Sequence, residues 1–164
     1  MGLEDAEVLV ARREPGRDQH YFDNLMNKRM ALFNGYHYGF AGFNNDPKWL
    51  EQNFNAVLTY SHESNLRLLL LGRVDMAPIT RSWLGARLRE QPQLREQLLV
   101  SDWEDQRYRH YAILSPQAPI SAEDLRNTLQ LLRDNGEMKR IFAPYGIDVR
   151  PNVAGSSATA SASD

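Results

Sequence analysis

Cysteine is missing from all 164 residues, which excludes disulfides and thiolate chemistry and fits an oxidising or a reducing compartment equally well. An excess of either charge is missing too: 19 basic side chains against 21 acidic ones leave a net charge of -2 and a pI of about 6.1. That balance offers no electrostatic footprint for nucleic acid. The arginines alternate with acids, as in Arg87, Arg89, Glu90, Arg95 and Glu96, the pattern of a solvated helix face. No apolar stretch approaches the ~20 residues that span a bilayer, so a soluble chain is expected. Met1-Gly2-Leu3-Glu4-Asp5 has neither the basic nor the apolar region of a signal peptide. His20, His37, His62 and His110 show no metal-ligand spacing, so neither a metal nor another cofactor is expected. A Gly-x-Ser-x-Gly elbow, a P-loop and a dinucleotide fingerprint are all absent, and Gly39-Phe40-Ala41-Gly42 is too weak to stand for one.

What is present is ordinary globular composition, 42% hydrophobic and 24% charged, enough for a packed core in one domain. Glu7–Arg13 reads as a strand ended by Pro15-Gly16, and Asp18–Asn27 as a short helix with Phe22, Leu25 and Met26 on one face. Met30–Phe33 and Ala56–Tyr60 read as strands. Between them Asn45-Asp46-Pro47 starts a helix carrying Trp49, Leu50 and Phe54, because Asp caps and Pro suits the first turn. Ser61 or His62 opens a helix to Leu71, with Gly72 placed for a left-handed C-terminal cap. A strand over Val74–Ile79, a helix over Arg81–Glu90 and a short strand at Leu98–Val100 follow. The alternation predicts a mainly parallel sheet covered on both faces. Tyr108–Leu114 reads as a further strand. Ser121 caps a helix with Leu125, Leu129 and Leu132 on its buried face, ended by Asn135-Gly136. A last helix runs from Met138 to Tyr145, and the Ser/Ala/Thr/Gly tail over 151–164 should be disordered.

Two strand ends carry the functional signal. Phe33 runs into Asn34-Gly35-Tyr36-His37-Tyr38-Gly39, and the strand ending at Ile79 delivers Thr80-Arg81. In open α/β sheets, ligands bind just beyond the carboxyl ends of strands. The Gly35-Tyr36-His37-Tyr38-Gly39 loop could present backbone N–H groups and aromatic faces to a ligand, or be a surface loop whose aromatics pack under a neighbouring helix. Arg81 is equally a ligand clamp or a first-turn helix residue facing water. Asp75, between a Gly-Arg turn and a strand, reads as a carboxylate fixing that turn through backbone hydrogen bonds. Trp83 reads as core or cleft lining.

The segment Leu68-Leu69-Leu70-Leu71-Gly72-Arg73-Val74-Asp75 with its short apolar strand resembles the second-lobe signature of type II periplasmic solute-binding proteins, the amino-acid-binding group of ABC importers. Leu25 to Gly35 is similar to the entry into that lobe, and Leu125 to Gly146 to the closing helices. The resemblance runs from about Glu7 to Ile147. It implies a periplasmic-binding-protein-like type II α/β fold, a three-layer α/β/α lobe two over about 14–105, and a return strand and helices over 106–150 belonging to lobe one. Most of lobe one, with the arginine that usually grips a ligand carboxylate, is not in the sequence, which suggests a fragment or a short form.

The resemblance further implies an extracytoplasmic, periplasmic component of an ABC transporter, with a permease as partner and no catalytic residues. Its ligand residues would be Asn34, Gly35, Tyr36, His37, Tyr38, Thr80 and Arg81, with hinges near Val10 and Arg109. Family members place an acid where Thr80 stands, to pair with a ligand ammonium. An unpaired buried charge costs several kcal/mol, so an anionic or neutral solute is expected. The fold also hosts small lyases and dehydratases, for which only His37 and Asp75 could titrate in the cleft, and sensory modules of membrane-bound kinases. Without lobe one, the apolar faces of the C-terminal helices need another cover, which predicts a homodimer, formed by exchange of that segment between copies.

Overall fold

A computed structural model describes residues 3–147 and 149. Five strands form one sheet in the order β3-β2-β4-β1-β5: β1 (Leu3–Arg12), β2 (Met30–Phe33), β3 (Ala56–Thr59), β4 (Met76–Thr80) and β5 (Leu98–His110). The sheet is mixed, and the expectation of a mainly parallel one is corrected. β2 pairs in parallel with β3 and β4, whereas β1 runs antiparallel to both β4 and β5.

Alternation along β1 makes the two cores. Val8 and Val10 face one side, with Leu66 and Leu69 of α2 (His62–Leu70), Ile79, and Leu84 of α3 (Arg81–Glu90); Leu94 of the one-turn α4 (Leu94–Gln97) closes that layer. Leu9 and Ala11 face the other side, with Leu32, Met76, Phe22, Tyr38, and Leu50 and Phe54 of α1 (Pro47–Phe54). Both faces are covered, giving three layers. A strand that is apolar on both phases is buried on both faces.

Local chemistry sets the helix ends. Asp46 accepts the Trp49 amide at 2.7 Å ahead of Pro47, and Ser61 accepts the Ser64 amide at 3.0 Å. After α2, Gly72 adopts φ +70°, and Arg12 Nη1 donates to the Leu69 carbonyl at 3.0 Å, holding the helix end against β1. Asp75 accepts the Arg29 amide at 2.8 Å, so its carboxylate joins the β2 and β4 entrances.

Three elements differ from the reading of the sequence. Asp18–Asn27 holds only a one-turn 3-10 helix, Gln19–Phe22, because Asp18 and Asn24 side chains accept the His20 and Met26 amides and stop propagation. The strands expected at Leu98–Val100 and Tyr108–Leu114 are one 13-residue strand ending at His110. Its polar middle is held by pairing with β1, and Ser101 fills the bulge, accepting the Leu9 amide at 3.0 Å and donating to the Trp103 carbonyl at 2.7 Å. Finally, α5 (Ala122–Asp134) has the full Ser121–Asp124 capping box yet buries no residue, and in α6 (Glu137–Phe142) only Met138 is buried. The tail over 151–164, expected to be disordered, lies outside the described residues.

Candidate functional site

Parallel pairing of β2 and β4 brings Phe33 and Thr80 to one edge of the sheet, and antiparallel β1 brings Glu7 there too, as the register partner of Thr80. The loop after β2 then lies against β5. Gly39 and Phe40 amides donate to the Asp105 carboxylate at 2.8 and 2.7 Å, and Gln106 Nε2 donates to the His37 carbonyl. Gly39 must be glycine, since a Cβ there would meet the Asp105 carbonyl oxygen at 2.7 Å. The result is an open concavity of about 540 Å³. Gly35, Tyr36, His37 and Thr80 line one side; Asp5, Gln106, Tyr108, Arg109 and His110, on the paired ends of β1 and β5, line the other.

The seven residues singled out in the sequence do not all share this concavity. Gly35, Tyr36, His37 and Thr80 do. Tyr38 is corrected to a core residue: its ring is fully buried and its hydroxyl accepts the Phe33 amide at 2.9 Å, with burial pushing its ionisation far upward. Arg81 faces a separate, smaller cavity of about 80 Å³ with Glu4, Asp5 and Gly146, where it pairs with Glu104 at 2.5 Å. Asn34 links two loops, its amide donating to the Thr59 carbonyl at 2.8 Å and its side chain to the Tyr60 hydroxyl at 3.2 Å. Trp83 is partly buried against the core, its ring 5.5 Å from that of His62.

Beneath Thr80 runs a chain of side chains that the sequence did not reveal. Thr80 Oγ donates to Glu7 Oε2 at 3.0 Å, and His62 Nε2 lies 2.9 Å from Thr80 Oγ. Thr80 stands at the N-cap of α3 but makes no side-chain cap; Asp5 does so instead, accepting the Ser82 amide at 3.1 Å, which frees the threonine hydroxyl for this chain. Glu7 is fully buried. Desolvation pushes its pKa up to about 7, opposed by the Thr80 hydrogen bond and helped by the Asp105 and Asp5 charges. Burial pushes the His62 imidazole the other way, down from its ordinary value. The only sequence signal was a glutamate in phase with buried positions of an otherwise apolar strand. His62 looked like a helix-start residue, and Gln106 and Tyr108 fell in a stretch read as connection and strand.

The order along this chain is acid, hydroxyl, imidazole. A nucleophilic triad needs the imidazole between the other two. The two titratable residues considered for an enzyme are engaged elsewhere: Asp75 with Arg29, and His37 through Nε2 with Asn45 at 3.0 Å. The geometry suits holding a polar group more than transferring a proton.

No protein-family model and no curated protein matches this chain. Solved structures do. A histidine kinase sensor domain with similarity to periplasmic binding proteins aligns at TM-score 0.61 and 22% identity, over 91% of this chain and 62% of that one. A putative ABC transporter binding component from Wolinella succinogenes, complexed with lysine, aligns at TM-score 0.60 and 14% identity, over 85% and 57%. The L-cystine solute receptor of Neisseria gonorrhoeae, unliganded and open, aligns at TM-score 0.59 and 16% identity, over 92% and 60%. The chain therefore spans about three-fifths of the length of these structures, and what it shares with them is the type II periplasmic-binding-protein fold, in part.

Proposed function

We propose that this chain provides one lobe of a solute receptor, capturing a small polar metabolite by cleft closure as the extracytoplasmic component of an ABC importer. The observation that carries this reading is the meeting of the Gly35–His37 loop and Thr80 on one open concavity, opposite the β1–β5 ribbon. Leu3–Ala6 pair with Arg107–His110 and, at Leu3, with Val149, beyond the reach of β4, so closure would bend there. Val10, expected near a hinge, is fully buried at the centre of the sheet. The same family reading gives a periplasmic location and a permease partner.

An anionic or neutral solute was expected because Thr80 lacks a charge. The Glu7 carboxyl, one hydrogen bond from Thr80, restores an acid beside that position and weakens the argument against a cationic group. Calorimetric titration with amino acids, dicarboxylates and sugars tests the reading; saturable binding by at least one supports it, and silence across all three classes refutes it. A sensory role, in which closure signals to a kinase, is the second reading, favoured by the sensor-domain likeness. It predicts the same binding with a signalling domain in the same polypeptide or complex.

A further inference from the structure

Thr80 Oγ carries one proton and has two neighbours. When it donates to Glu7 Oε2 at 3.0 Å, it must accept from His62 Nε2 at 2.9 Å, which fixes the imidazole as the Nε2–H tautomer. One lone pair of the hydroxyl is then left for whatever enters the concavity that Thr80 lines. If Glu7 takes a proton, the sense reverses: Glu7 donates to Thr80, and the threonine proton turns toward His62 or the concavity. Glu7 Oε1 and His62 Nδ1 are both buried without a hydrogen-bond partner. The Tyr108 hydroxyl favours the ionised Glu7 carboxyl, the state in which Thr80 donates to it.

We propose that Glu7, acting through Thr80 and with His62 as the fixed donor behind it, makes the floor of the concavity a hydrogen-bond acceptor. The site then takes a solute by an N–H group, guanidinium, ammonium or amide, in preference to a carboxylate. This rests on the solute-binding reading above. Asp5 on β1 and Asp105 on β5 add negative charge that attracts an N–H group but also favours the protonated Glu7, against the Thr80 and Tyr108 hydroxyls, which favour the carboxylate. Tyr36 and Tyr38 couple to the same carboxyl, and His62 reaches it from α2 only through Thr80. Desolvation puts the Glu7 titration near neutrality, so the acceptor state holds above about pH 7 and the donor state below it. Glu7 is a positioning residue, since it touches no solute itself.

The test uses this chain and three probes whose own charge is constant from pH 6 to 8: methylguanidinium, acetamide and acetate. Nitrogen-15 NMR of His62 at pH 8 without solute should show the Nε2–H tautomer; the Nδ1–H form overturns the inference. Probe titrations followed at Gly35, Tyr36 and Thr80 should show methylguanidinium and acetamide binding more tightly than acetate. Their affinity should rise by up to about tenfold from pH 6 to 8, as the ionised fraction of a carboxyl titrating near 7 grows from about a tenth to about nine-tenths. Glu7→Gln should remove that step, and Thr80→Val should weaken both N–H probes about tenfold at either pH. If a variant does not fold, the native tautomer and native pH profile decide alone. Acetate binding as tightly as the N–H probes, or a pH step that survives Glu7→Gln, overturns this inference and leaves solute binding standing. Failure of every probe, together with silence in the broader solute titration, overturns both.

Discussion

The helix α2 is nine residues long, carries Asn65, Arg67 and His62 among its leucines, and is anchored in the core by Leu66 and Leu69. Thirteen-residue α5 is longer, has the better cap and a regular leucine stripe, and buries nothing. Its Leu125 and Leu129 instead border an open apolar groove of about 650 Å³ with Tyr111 and Ile113. The difference shows that capping and periodicity specify a helix, whereas a partner surface decides how much that helix contributes to stability. α2 lies on a sheet face; among the described residues, α5 lies against α6 and borders the loop at Tyr111–Leu114.

The largest effect that could break this contrast is in the core. Leu69→Ala should cost about 2–5 kcal/mol in urea unfolding, and Leu129→Ala less than about 1 kcal/mol. Equal costs would mean that the α5 face is covered in solution, as a homodimer formed through these helices would require. Next comes pH. Glu7 binds a proton more tightly when folded, so stability should be full below pH 4.5 and decline as pH rises to about 7, by roughly 3 kcal/mol. Glu7→Gln should flatten that slope, and an unchanged slope would assign it to another group. Gly39→Ala should cost about 1–3 kcal/mol by forcing the loop away from Asp105, read as faster amide exchange at Gly39 and Phe40. Smallest is Ser121→Ala, expected to remove about 1 kcal/mol of local helix stability. Amide exchange at Glu123–Leu125 should quicken while the global unfolding midpoint stays put; a shifted midpoint would join α5 to the cooperative core.

Much of the core was legible because its signals are local. Asp46-Pro47, Ser61, Gly72 and Asn135-Gly136 mark helix ends by their own backbone preferences, and β2 and α3 lie where the sequence places them. Ser101–Arg107 was illegible as strand because its polar side chains hide a segment held by pairing with β1. Tyr38 was misassigned because an aromatic residue between glycines looks the same in a ligand loop as in a loop tucked into the core. Four of the nine residues lining the concavity were found on strand ends, Gly35 to His37 and Thr80. Glu7, His62 and Tyr108 were not, since they belong to three elements far apart in the chain.

The sequence by itself determined where α2, α3 and α5 begin and end, that the sheet is covered on both faces, and that two loops leave it at strand ends. Those follow from each residue's backbone preference and from apolar spacing. Only the tertiary structure decided that β1 runs antiparallel beside β4, and so that a glutamate in an apolar strand meets a threonine that also bonds a histidine beneath one concavity. Strand order and register are set by how the whole sheet buries its faces, and that is a property of no single segment.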